Sequence, residues 1–169
     1  MERCFRRGVL VDITHAREDA QKQICEIWEG FRHRPLISSH NSVRAINPAG
    51  LNLSDPRDQE DTGQQGHHRR HLLQALAHEA GGGDARRGLQ LITDVIDHIR
   101  DVTESYDHIG IGSDLDGFID PVEECSNYSE MSVLASHLLS RYGAETGGKI
   151  LSGNALRVLH EGWDGVREG

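Results

Sequence analysis

His108-Ile-Gly-Ile-Gly-Ser-Asp-Leu-Asp-Gly117 is a short apolar run that delivers two carboxylates, Asp114 and Asp116, into a glycine-flanked turn. Carboxylates at the C-terminal end of a strand are where α/β enzymes keep their chemistry. An Asp-Gly turn by itself also closes strands that have no chemistry. Two further runs shift the balance. Gly8-Val-Leu-Val-Asp-Ile-Thr-His15 is apolar and β-branched until it stops at a polar cluster ending in His15, and Pro35-Leu-Ile-Ser-Ser-His40 closes on a second histidine. Both read as strands. In a parallel barrel all such ends converge on one face, so His15, His40 and Asp114 describe a candidate metal site. Asp116 reads as structural, because an Asp before Gly at a turn commonly bonds its own backbone.

The intervals between these strands carry helical periodicity. Ile24, Ile27, Trp28 and Phe31 share one face over about residues 16–31, and Ile92, Val95, Ile96, Ile99 and Val102 do so over about 87–104. Met131, Val133, Leu134, Leu138 and Leu139 predict a further helix after a loop at 118–128, and the stretch from Ile150 to Leu159 predicts a last one. These stripes are core surface rather than cofactor boxes. Strand, helix, strand, disrupted strand, helix, strand and helices amount to α/β alternation, roughly the second half of a (β/α)8 barrel.

Four segments together resemble the membrane (renal) dipeptidase family, zinc metallopeptidases on a (β/α)8 TIM-type barrel. They are Leu-Val-Asp-Ile-Thr-His15, Pro-Leu-Ile-Ser-Ser-His40, Gly-Ser-Asp114-Leu-Asp-Gly117 and Ser152-Gly-Asn-Ala-Leu-Arg-Val158. They occur in the family's order and with roughly its spacing. The resemblance implies that the chain is the C-terminal part of such a barrel, one partial domain spanning 1–169. It implies that His15 and His40 are ligands of the second, more exposed zinc of a two-zinc site, and that Asp114 handles protons during hydrolysis of a dipeptide. Paired zinc ions lower the pKa of a bridging water and polarise the scissile carbonyl, and a neighbouring carboxylate passes the water's proton to the leaving amine. It also implies a homodimer.

Two departures stand beside it. The family's His-x-Asp pair and its metal-bridging glutamate have no counterpart, since the chain begins at the strand that carries His15. Two imidazoles fall short of the three or four protein groups a zinc site takes, so this polypeptide is expected not to assemble the dinuclear centre alone and to be inactive as a truncated copy. Leu51 stands before Asn52 where many members have an arginine for the substrate carboxylate. An aliphatic side chain does not replace that bidentate contact, and nothing in the sequence gives the role to nearby Arg44.

Residues 58–86 are polar and rich in histidine, with His67, His68, His71 and His78, where the barrel calls for a buried apolar strand. A histidine-rich metal tract is one explanation. The genetic code offers a better one. With codons shifted by one nucleotide, His67-His68 permits Ile-Ile, Arg69-Arg70 permits Gly-Val, and His71-Leu-Leu-Gln74 permits Ile-Phe-Phe-Lys. The segment is therefore expected to be a compensated frameshift, with the frame restored before Gly88-Leu-Gln-Leu-Ile.

The formal charge of −9, from 27 acidic and 18 basic residues, argues against nucleic acid as a partner, because that affinity comes from Lys and Arg neutralising phosphates. Cys4, Cys25 and Cys125 are odd in number and lack Cys-x-x-Cys spacing, and read as free thiols in a reducing compartment. No apolar stretch approaches the roughly 20 residues of a membrane span, and no signal-peptide core follows Met1. The cytoplasm is the expected location, with an original N-terminus missing. Three functions compete: a zinc dipeptidase, a metal-dependent hydrolase of amides or esters lacking a free carboxylate, and a non-catalytic remnant of the family.

Overall fold

Four short strands, β1 (Val11–Asp12), β2 (Leu36–Ser38), β3 (His71–Gln74) and β4 (Ile109–Gly110), form one sheet in the order β1-β2-β3-β4. Every neighbouring pair is parallel, with Val11 opposite Leu36, Leu36 opposite His71, and Leu73 opposite Ile109. All four strands therefore end on the same edge. The computed structural model describes residues 1–48, 50, 52–54, 88–117 and 121–163, together with the backbone of 71–74.

β3 falls in the segment where a disrupted strand is expected. No apolar strand is legible between residues 58 and 86, yet the backbone of 71–74 pairs with β2 on one side and β4 on the other. Backbone amides and carbonyls make a parallel ladder whatever side chains they carry, so register with two neighbours places a strand that hydrophobic patterning does not reveal. The rest of the suspected frameshift, including His67, His68 and His78, lies outside the described residues, as does Leu51.

The expected helices form within a few residues of their forecast bounds. α2 (Glu18–Trp28), extended by a 3-10 turn over Glu29–Phe31, buries Ile24 and Trp28, and the Trp28 indole donates to the Arg34 carbonyl at 2.7 Å. α3 (Leu89–Thr103) buries Ile92, Val95, Ile96 and Ile99. α4 (Met131–Gly148) is kinked at Gly143, whose φ of 78° and ψ of 170° are closed to residues with a Cβ. It turns Leu134 and Leu138 into the core and leaves Val133 and Leu139 exposed. A wide helical turn, Lys149–Gly153, leads into α5 (Asn154–Trp163). The sequence reading missed α1 (Glu2–Arg6), which is too short to show a period. It buries Phe5 completely and stacks its ring on Phe31 at 5.5 Å between centroids.

Two apolar clusters hold these elements. Phe5, Val11, Ile13, Ile24, Trp28 and Leu36 join α1 and α2 to the first two strands. A larger cluster, including Ile96, Ile99, Ile109, Leu134, Leu138 and Ile150, joins α3, β4, α4 and the wide turn. Asn154 explains the Ser152–Val158 motif as a brace: its buried Nδ2 donates to the carbonyls of Tyr106 at 2.8 Å and Ile109 at 2.7 Å. Arg157 adds a bond to the Asp107 carbonyl at 2.6 Å. Both tie α5 to the chain entering and forming β4. Tyr142 and Arg141 both donate to Asp97 and pin α4 against α3. Burial, then the Asp97 carboxylate, pushes the Tyr142 phenol well above its ordinary value. No helix among the described residues is long and apolar enough to cross a membrane.

Asn154→Ala leaves two buried carbonyls without their donor and is expected to lower the unfolding free energy in urea by about 2–4 kcal/mol. Leu156→Ala, on the exposed face of the same helix, is expected to change it by less than about 0.5 kcal/mol.

Burial first, and then the charges of Glu29 and Glu26, push the Cys25 thiol up from 9.0 to about 11. The unfolded thiol ionises from pH 9 upward while the folded one holds its proton, so this group's stabilisation is complete below pH 9 and lost as pH rises through about 11. Alkylation of Cys25 in the native protein at pH 8 is expected to be at least about 10-fold slower than in urea, because the thiolate is the nucleophile. Equal rates would contradict the burial.

Candidate active site at the strand ends

β1 runs out at Asp12, and the Ile13 amide bonds the Ile37 carbonyl of β2 at 2.9 Å, so the two chains leave the sheet side by side. The Asp12 carboxylate then binds the turn together. It accepts from the Thr14 amide at 2.9 Å, the Thr14 hydroxyl at 2.6 Å and, across to the second strand, the Ser39 amide at 3.2 Å. Partial burial, the largest single influence, opposes its ionisation. The bonds from Ser39 and Thr14 together outweigh it and hold the carboxyl below its ordinary value of 3.8.

This turn throws His15 outward with a φ of 57°. His40 follows Ser38 and Ser39 at the end of β2, its Nδ1 2.8 Å from the Ser39 hydroxyl. The two imidazoles meet edge to face, 4.8 Å between centroids and 77° between planes. Beyond His40 the chain is tied down by buried polar groups. Asn41 donates to the Ser38 hydroxyl at 2.8 Å. Asn52 accepts from the Ser42 amide at 3.1 Å and donates to the Asn47 carbonyl at 3.0 Å.

Asp114 lies on the same edge, four residues past the end of β4. β4 is two places from β2, with β3 between them, and strands lie about 4.8 Å apart, so the strand leading to Asp114 leaves the sheet about 10 Å from the strand leading to His40. Its φ is 46°, and its carbonyl accepts from the Gly117 amide at 2.9 Å to close the turn. The Asp114 carboxylate packs over Gly117 so closely that an added Cβ there would stand 2.5 Å from Oδ2. Gly117 is thus part of what places Asp114. Asp116 is exposed at φ 71°, and the turn's bonds come from the Asp114 carbonyl and the Ser113 hydroxyl, which accepts from the Leu115 amide at 3.3 Å. Asp116 shapes the turn through its backbone, not through the side-chain bond expected of it.

Among the described residues, left-handed non-glycine backbone occurs at His15, Glu104, Asp114 and Asp116. Glu104 caps α3, and the other three flank the candidate site. Such conformations cost about 1–3 kcal/mol each and gather where function requires them. The structure thus brings His15 and His40 into contact and sets Asp114 on their edge. Sequence reasoning missed the roles of Asp12, Thr14, Ser39 and Gly117, although all lie inside the quoted motifs.

Imidazole nitrogens fit zinc in kind. In number they fall short: among the described residues no group of three or more His, Cys, Asp or Glu could hold a metal ion. Arg44 is engaged elsewhere, donating to the Gly50 carbonyl at 2.9 Å and pairing with Glu18 at 3.5 Å.

Residues 1–164 match the family model described as membrane dipeptidase (peptidase family M19). Dipeptidase 3 of Macaca fascicularis is 30% identical over 183 residues, which cover 99% of this chain and 33% of that protein. Among solved structures, dipeptidase AC, a family M19 metallopeptidase, superposes with a TM-score of 0.75 at 22% identity, covering 95% of this chain and 46% of that one. A Rhodobacter sphaeroides metallopeptidase liganded with a phosphinate mimic of the dipeptide L-Ala-D-Ala gives 0.73 at 22% identity, covering 95% and 44%. The chain spans about a third of the length of the curated relatives it matches.

Asp116→Gly is expected to leave stability unchanged or raise it by up to about 1 kcal/mol, because glycine enters this left-handed position without strain. Asp116→Val is expected to lower it by about 1–2 kcal/mol. Urea titration of both variants checks the pair, and a destabilising glycine would contradict the backbone role.

Proposed function

The chain belongs to the membrane dipeptidase family, and from that premise we propose that it supplies one side of a zinc dipeptidase site, with His15 and His40 as metal ligands and Asp114 as the proton carrier. The observation that carries this reading is the edge-to-face contact of the two imidazoles, 4.8 Å between centroids, at adjacent parallel strand ends. The four-stranded parallel sheet is read as the C-terminal part of a (β/α)8 barrel, a single domain. The folds of family M19 structures support that reading. The free thiols fit a reducing compartment such as the cytoplasm.

Zinc, when bound, supplies a water of lowered pKa and polarises the scissile carbonyl. The chain's own residues do the rest. His15 and His40 present nitrogen donors from backbone held rigidly by the Asp12 turn. Asp114, oriented by its turn and by Gly117, takes the proton of the attacking water on a carboxylate oxygen and returns it to the leaving amine. A complete site would need further ligands, which the family resemblance gives as a His-x-Asp pair and a glutamate. Dipeptides are the substrate class that the relatives' names and the bound phosphinate mimic support.

A second reading has its own support. Leu51 occupies the place of the expected arginine, and the Arg44 guanidinium is held by Gly50 and Glu18. Among the described residues of this stretch no cation is thereby assigned to the substrate carboxylate, which favours a hydrolase of amides or esters without one.

Complementation tests both. The chain is co-expressed with the N-terminal half of a full-length relative, and the complex that co-elutes with it is loaded with zinc. Hydrolysis of a dipeptide is expected in the complex, absent from either half, and lost with EDTA or with His15→Ala, His40→Ala or Asp114→Asn, the last by at least about 100-fold. Preference for the dipeptide's C-terminal amide would select the second reading. A zinc-loaded complex that hydrolyses neither would overturn both.

A further inference from the structure

Asp12, Thr14, Ser39 and His40 form a continuous polar chain across the two strand ends, anchored on a carboxylate. The Asp12 carboxylate only accepts, so the Thr14 hydroxyl, 2.6 Å away, spends its proton there. Thr14 Oγ1 is then an acceptor toward everything else. It takes the Ser39 amide at 2.7 Å and faces the Ser39 hydroxyl at 3.2 Å. The Ser39 hydroxyl has two acceptors on this side, Thr14 Oγ1 and the Asp12 carboxylate, which the Ser39 side chain also bonds. With its proton spent on either, the Ser39 oxygen accepts from His40 Nδ1 at 2.8 Å.

We propose that Asp12, Thr14 and Ser39 act as a relay of positioning residues that holds the His40 imidazole in its Nδ1–H tautomer, so that Nε2 presents its lone pair to a divalent metal ion at the strand ends. A ligating histidine almost always donates its other ring N–H to a carboxylate, carbonyl or water, which fixes both tautomer and ring orientation. Here two hydroxyls intervene between the ring and the carboxylate. The relay crosses from the β2 end to the β1 end, and so also fixes the two strand ends that carry His40 and His15 relative to each other. The proposal deepens the metal-ligand reading and rests on it.

The test reads the ring nitrogens of the metal-free, 15N-labelled chain by long-range 1H–15N NMR at about pH 8, where an ordinary histidine is neutral. In the parent chain, Nδ1 of His40 is expected to be protonated and Nε2 unprotonated. Asp12→Ala together with Thr14→Val removes both acceptors of the Ser39 proton, which then turns to Nδ1, and the ring is expected to switch to the Nε2–H form. Thr14→Ser alone keeps the hydroxyl and is expected to retain the parent tautomer. Should the double variant fail to fold, Ser39→Ala reads the same atom, with loss of the Nδ1–H preference expected. A merely structural turn would leave the ring's proton where it was in every folded variant. A parent ring protonated on Nε2, or one indifferent to the Asp12→Ala/Thr14→Val double variant and to Ser39→Ala, would overturn the proposal. Because no metal or substrate is present, these outcomes are independent of dipeptide hydrolysis.

Discussion

Parallel pairing is the constraint on which everything else depends. Because β1, β2, β3 and β4 run the same way in register, residues that follow them share one edge whatever their separation in sequence. His15 and His40 are 25 residues apart yet have their rings in contact. Asp114, far beyond either, joins the same edge. The helices make this possible by burying the sheet's apolar residues, among them Leu36 and Ile109, both fully enclosed. The strands themselves are only two to four residues long. Their alignment therefore depends on side-chain ties such as Asn154 on the entry to β4 and Asp12 across β1 and β2.

At the edge, local strain and local charge act together. Three residues adopt left-handed backbone, a cost that the turns offset with hydrogen bonds from hydroxyls and amides. Asp12 is the clearest case. Burial alone would favour its neutral form, yet bonds from Ser39 and Thr14 keep it readily ionised. One carboxylate thus orders the turn before His15 and reaches the strand end before His40.

Much of this was legible from residue order. Apolar runs ending in His15, His40 and Asp114 identified the strand ends, and the stripes of Ile24 and Trp28 and of Ile92 to Ile99 identified α2 and α3. What escaped has physical reasons. α1 is five residues long, too short for a helical period to show, and its anchor is the single ring of Phe5. β3 is placed by backbone pairing, and His71-Leu-Leu-Gln74 in a polar stretch gives no strand signal. The face of α4 was read as containing Val133 and Leu139, but Leu134 and Leu138 take the buried face and leave those two outward. The relay through Thr14 and Ser39 could be suspected from polar residues beside the histidines. Its continuity needed the distances.

The most direct test of the strand-end account is diffraction at the zinc absorption edge from crystals of the zinc-loaded complex of this chain with the N-terminal half of a full-length relative. The account predicts an anomalous peak about 2.0–2.1 Å from Nε2 of His40 and from a ring nitrogen of His15, the usual zinc–imidazole distance. Zinc bound instead among His67, His68, His71 and His78, with the His15 and His40 rings apart, would contradict it.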